Sequence, residues 1–240
     1  MENQSSNVQK ALALAEFSQK VAAMIEMGVP LVQSLDVAEN EAAPPYDEAA
    51  RRIKESVMSE AMLSDAMKQM PELFSEFYVQ SIAAGEIGGI LEIMFDDLGE
   101  LLDDCWQIQQ AHEKAGAWEW AFFSSGDRTP ADWSELDAQQ QRMVLVLFCK
   151  SFGSMLSAGV PKPLALETAA CLLPENQREA VTSMISEDNW NHLLRNREEL
   201  AFLPKFASVM IAVGEIAGSL DVTTQKAAAV YRRELQRESA

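Results

Sequence analysis

The sequence predicts an all-α protein of two tandem antiparallel helical bundles, about six helices each, related by internal duplication. Three observations carry that expectation. Apolar residues recur at helical spacing along most of the chain, and β-branched alternation is absent. Ala, Met, Leu and Glu, good helix formers, are abundant. Two blocks of sequence also recur in the same order, at offsets of 131 and 129 residues.

The first block runs from Phe17 through Val21, Met24, Ile25, Gly28 and Val29 to Pro30. It returns as Phe148, Phe152, Met155, Leu156, Gly159, Val160 and Pro161, 131 residues on and without a gap. The spacing i, i+4, i+7, i+8 is the apolar stripe of an amphipathic helix, so Met24, Ile25, Met155 and Leu156 are expected in the core. Gly28 and Gly159 then end the helix, where a left-handed residue is wanted, and Pro30 and Pro161 open the next at its first turn. Leu35 and Leu166 begin the apolar face of that second helix. Further turns are expected at Pro44-Pro45, Pro71, Pro174 and Pro204.

The second block, Gly85-Glu86-Ile87-Gly88-Gly89-Ile90-Leu91, returns as Gly214-Glu215-Ile216-Ala217-Gly218-Ser219-Leu220, 129 residues on. Phe77 and Phe206 stand eight residues before the first glycine of each copy. After it, Leu91, Phe95, Leu98, Leu102 and Cys105 form one more helical stripe. Glycine inside helical sequence costs about 1 kcal/mol relative to alanine, so these glycines point to close backbone approach or a helix start. A glutamate there can accept backbone N–H bonds at a helix N-terminus, or serve a partner or a metal; both readings stand for Glu86 and Glu215.

The pattern changes between the copies. We expect a first bundle over residues 1–111, a linker over 112–138 and a second bundle over 139–240, with Thr129-Pro130 a loop leading into a new helix. The linker holds the aromatic cluster Trp118, Trp120, Phe122 and Phe123. Such a cluster clamps two domains together, faces a partner, or touches a membrane surface.

Charge excludes several functions. With 37 acids against 19 Lys and Arg the net charge is −18, which argues against a phosphate backbone and against an anionic membrane as ligand. Residues 1–105 carry 20 acids and 6 bases, net −14, so a basic partner surface would meet the first copy. Three dispersed cysteines exclude a disulfide framework or cysteine-rich zinc site. The N-terminus has no secretory signal, and no run approaches the roughly 18–20 apolar residues of a membrane span. A soluble, cytoplasmic chain of 240 residues, long enough for a real core, is expected.

Chemistry is scarce. His112-Glu113 is not followed by a second histidine at HExxH spacing, and His192 has no acid or cysteine beside it. Nucleophile elbows and phosphate loops are absent from the sequence. No catalytic residue and no cofactor is expected, so the chain reads as no enzyme. Asp96, Asp97, Glu100, Asp103 and Asp104 crowd one helix, and three readings stand: a solvated face, a partner surface led by Asp97 and Glu100, or a divalent-cation cluster. Trp118 and Trp120 are the other candidate partner surface.

The paired blocks, Gly-Val-Pro followed by Gly-Glu-x-x-Gly-x-Leu, resemble the type II secretion system F domain, over about residues 12–105 and 143–235. The motif positions are Gly28, Pro30, Gly85, Glu86, Gly89 and Leu91, then Gly159, Pro161, Gly214, Glu215, Gly218 and Leu220. The resemblance implies a six-helix bundle per domain. It also implies a non-catalytic scaffold linking a motor ATPase to pilin-like subunits and inner-membrane components. Platform proteins of that kind carry membrane-spanning segments, so a soluble relative of the platform is the expected reading, recruited to the inner membrane by protein partners or forming a homodimer. The alternative is a cytoplasmic dimerisation or regulatory scaffold outside secretion. Lys162 in place of the Leu31 equivalent, and Ala217 in place of Gly88, depart from the first copy.

Overall fold

In a computed structural model, residues 2–111, 130–186 and 203–238 are described. They form eleven α-helices and one short 3-10 turn, with no strand among the described residues, which agrees with the all-α expectation. The chain divides into two compact units, one over residues 2–110 and one over the described residues from 130 onward.

The first unit contains α1 (Glu2–Glu26), α2 (Leu31–Glu41), α3 (Tyr46–Met58), α4 (Leu63–Lys68), α5 (Glu76–Gly88) and α6 (Leu91–Ala111). Short connections force neighbouring helices to run antiparallel, as expected of a bundle. Its core is aromatic: Phe17 of α1 lies 5.9 Å from Tyr46 and 6.3 Å from Phe95, and Phe74 lies 5.3 Å from Tyr78, centroid to centroid. The buried Ser18 hydroxyl donates to the Leu14 carbonyl at 2.7 Å and meets the Tyr78 hydroxyl at 2.8 Å, which satisfies both hydroxyls inside the core. On α6, Phe95, Leu98, Leu102 and Cys105 are buried and Leu91 half-buried. That is the stripe the sequence predicts.

The second unit contains α7 (Ala138–Ser157), α8 (Lys162–Ala170), α9 (Glu175–Ser186), α10 (Lys205–Ala217) and α11 (Leu220–Glu238). Helix α7 starts on a capping box that the sequence reading did not pick out: the Asp137 carboxylate accepts from Gln139 and Gln140 N–H, and the Gln140 side chain accepts from Asp137 N–H. Met143 through Cys149 are all buried, so the most apolar run of the chain is a core helix. Among the described residues, no helix is long and apolar enough to cross a membrane. Residues 130–137, assigned to the linker in the sequence, bond to α9: Glu175 N–H donates to the Pro130 carbonyl and Asn176 N–H to that of Ala131, each at 3.0 Å.

The stripe of the first block is only partly core. Phe17, Val21, Phe148, Phe152 and Met155 are buried, but Met24, Ile25 and Leu156 are half-buried, which corrects the expectation for those three. They stand in the last turns of α1 and α7, next to the reversals that follow those helices.

Two glycines bring the outer helices of each unit together. A Cβ on Gly99 of α6 would stand 2.6 Å from Gln19 Cγ and 3.3 Å from the Ala15 carbonyl of α1. A Cβ on Gly153 of α7 would stand 2.6 Å from Thr224 Oγ1 and 3.0 Å from the Asp221 carbonyl of α11.

Candidate functional site

The motif residues gather at the helix reversals. Gly28 and Gly159 have φ of 81° and 86°, Gly89 and Gly218 of 67° and 66°, all left-handed. Each reversal is sealed by a six-residue hydrogen-bonded turn at 2.9 Å: Val29 N–H to Met24, Val160 to Met155, Ile90 to Gly85 and Ser219 to Gly214. Pro30 and Pro161 precede the first helical residue by one position, at the N-cap. Leu91 and Leu220 open the helix that follows the second reversal in each unit.

Gly85 and Gly214 do a different job from the left-handed glycines, because a side chain there would collide with the following helix. A Cβ on Gly85 would lie 2.8 Å from Met94 Cγ, and one on Gly214 would lie 1.9 Å from Thr223 Oγ1 and 2.8 Å from Leu220 Cα. A Cβ on Gly88 would meet only the Ile90 side chain, at 3.2 Å. The second copy has Ala217 there, with the shorter Ser219 in place of Ile90.

Glu86 spans from α5 back to α4. Its carboxylate accepts Leu63 N–H at 2.6 Å and Ser64 N–H at 3.0 Å, with the Ser64 hydroxyl as a third donor. No side chain of α4 itself caps that end. Glu86 therefore supplies from a distance the acceptor that an N-cap residue provides locally. Glu215 is held otherwise: Lys162 Nζ donates to both its oxygens, at 3.0 and 3.1 Å. The Lys162 substitution noticed in the sequence is thus the partner of the second glutamate.

The acidic cluster is divided by the fold. Asp96 and Glu100 are exposed and Asp97 is half-buried. Asp103 accepts from Gln19 Nε2 at 2.7 Å, and Asp104 is buried. Among the described residues, no group of three or more metal-ligating side chains is arranged to hold a metal ion. Trp118, Trp120, Phe122, Phe123, His112 and His192 lie outside the described residues. Burial pushes the Cys149 thiol up to about 12, so it stays protonated at neutral pH. The polar contacts of Glu86 and Glu215 bind helices to one another.

Beyond the capping box, the sequence gives no sign of Glu60. It follows α3 with φ of 65°, the left-handed region where glycine is favoured. No residue pattern signals a left-handed glutamate.

The sequence pattern of the family described as type II secretion system protein F matches residues 17–121 and 148–240. Among curated relatives, the type IV pilus assembly protein PilC of Myxococcus xanthus is 40% identical over 83 residues, 34% of this chain and 20% of that protein. PilC of Pseudomonas aeruginosa is 34% identical over 88 residues, covering 36% of this chain and 24% of its own length. Type II secretion system protein F of Xanthomonas campestris is 33% identical over 95 residues, 38% of this chain and 23% of that protein. The matched stretches span only a fifth to a quarter of those relatives. With matches in both halves and the motif glycines at the reversals, the chain belongs to the type II secretion system protein F family.

Proposed function

We propose that this chain is a non-catalytic scaffold or adaptor of a type II secretion or type IV pilus-like assembly machine, and that its two units are duplicated copies of one bundle. The observation that carries this reading is the family match in both halves of the chain. Its partners are proteins: a secretion or pilus motor ATPase, or an inner-membrane component of the machine. It works in the cytoplasm and is drawn to the inner membrane by those partners. The copies divide over residues 1–111 and 139–240, with 112–138 linking them.

The geometry supports a scaffold. Polar groups of the motif are spent on helix ends, as with Glu86 on Leu63 and Ser64, or on an ion pair, as with Glu215 on Lys162. A rigid bundle with its polar groups committed internally can present surfaces without doing chemistry.

Affinity capture with the tagged full chain tests the reading. Recovery of a secretion-type ATPase or an inner-membrane assembly component is expected. Recovery of the chain alone, as a dimer, overturns it in favour of a regulatory dimerisation scaffold.

A further inference from the structure

The antiparallel order of the first unit puts three connections at one end of it: residues 27–30, 59–62 and 89–90. The Glu86 carboxylate on Leu63 and Ser64 N–H ties the end of α5 to the start of α4 at that end. Four large apolar side chains there are open to solvent: Met27 at 77%, Met58 at 68%, Met62 at 46% and Ile87 at 70% exposure. Scattered exposed apolar residues are ordinary, but these four all stand on or beside the three connections at one end of the unit.

Charge at this end is one-sided. Glu26 and Glu60 are exposed beside the patch, and the three connections contain no Lys or Arg. The nearest cation along α3, Lys54, is engaged by Asp36 and Glu39 of α2. Glu60 holds its carboxylate there in a left-handed conformation that glycine would take with less strain.

The fold does not require the methionine or the acid of the first reversal, because the aligned positions of the second copy lack them, whereas the second reversal keeps its exposed isoleucine as Ile216. Ser157 stands for Glu26, Ala158 for Met27 and Lys162 for Leu31. The same reversal, with Gly159 at φ of 86°, forms without the methionine or the acid.

We propose that this end of the first unit is a docking surface for a cationic amphipathic helix of a partner protein. Its apolar face would cover Met27, Met58, Met62 and Ile87, and its Lys or Arg residues would meet Glu26 and Glu60. Methionine suits such a surface because its unbranched, polarisable side chain adapts to different apolar ridges. The inference deepens the scaffold reading by naming the partner's chemistry, and it holds for any machine that supplies such a helix.

The test uses the full chain and a dye-labelled synthetic peptide of Leu and Lys at helical spacing, followed by fluorescence anisotropy. A peptide of the same composition without an apolar face, and one with Glu for Lys, serve as comparisons. The amphipathic Lys peptide alone should bind, more weakly as salt rises. Met27→Ser with Ile87→Ser should weaken it at least about tenfold, the scale of losing two buried apolar anchors. Glu26→Ser should weaken it more than Glu72→Ser, which alters an exposed acid on the α4–α5 connection at the other end. Glu60→Gly should weaken binding while raising the thermal midpoint, a pair of changes that simple unfolding cannot produce. Equal effects of Glu26→Ser and Glu72→Ser, undiminished binding in the Met27/Ile87 variant, or self-association abolished by that variant would each overturn the proposal. Failure here leaves the capture experiment standing, so the docking surface and the scaffold reading fail separately.

Discussion

The Glu86 carboxylate lies 3.0 Å from the backbone nitrogen of Ser64, twenty-two residues earlier in the chain. It also takes Leu63 N–H, so one side chain satisfies two of the free donors at the start of α4. Glu86→Ala leaves those donors without their acceptor. A loss of about 1–2 kcal/mol is expected, the scale of a lost N-cap. Chemical denaturation checks this; a loss below about 0.3 kcal/mol would mean that water replaces the carboxylate at no cost.

The glycines of the second block should separate into two classes. Gly214→Ala drives a methyl to 1.9 Å from Thr223 Oγ1 and against the Leu220 backbone, so about 1–3 kcal/mol of overpacking is expected. Gly88→Ala meets only the Ile90 side chain, and together with Ile90→Ser it reproduces the pairing of Ala217 with Ser219. That double variant should recover part of the roughly 1 kcal/mol that glycine costs in a helix, relative to Ile90→Ser alone. Thermal unfolding of Gly214→Ala, Gly88→Ala, Ile90→Ser and the double variant compares them; equal losses for Gly214→Ala and Gly88→Ala would show that the helices can slide apart.

How much of this was legible in sequence depends on the range of the interaction. The left-handed glycines at 28 and 159 were readable, because the residue type and its place after an apolar stripe express one local backbone constraint, whereas those at 89 and 218 were not, since two neighbouring glycines fit close approach or a helix start equally well. The α6 stripe was readable for the same reason, since period 3.6 is local. The acceptor role of Glu86 was legible as a type of bond, but its donors were not, because tertiary packing brings α4 to it. Lys162 stood out as a departure without revealing Glu215 as its partner, 53 residues on. Met24 and Ile25 misled because periodicity identifies a face and says nothing of how far along the helix that face stays covered.

That last point carries a prediction. Phe17 is fully buried among Tyr46, Phe74 and Phe95, so Phe17→Ala should cost about 3–5 kcal/mol. Ile25 is half-buried in the last turn of α1, and Ile25→Ala should cost less than about half as much as a fully buried Ile→Ala, for which 2–5 kcal/mol is typical, so about 1–2 kcal/mol. Urea titrations rank them. Equal losses would place Ile25 in the core after all.

Asp132 gives the second unit a dependence on acid. Its carboxylate accepts Ser134 N–H at 2.9 Å and the Ser134 hydroxyl at 2.7 Å. It also takes Asn176 Nδ2 at 3.2 Å and Gln177 Nε2 at 3.3 Å from α9. The Ser134 backbone N–H first, then the Ser134 hydroxyl and the two amides, hold the carboxyl well below the usual carboxylate range. A folded-state pKa below the unfolded value of about 4 means the stabilisation is fully present above pH 4 and fades as pH falls through the folded value. Asp132→Asn keeps the shape but removes the charge, so it should lower the thermal midpoint at pH 7, by a margin that narrows as the pH falls below about 4. Melting both proteins from pH 7 to pH 2 reads the gap directly. A gap that stays constant over that range would show that Asp132 holds residues 130–137 to α9 by shape alone, with no contribution from its charge.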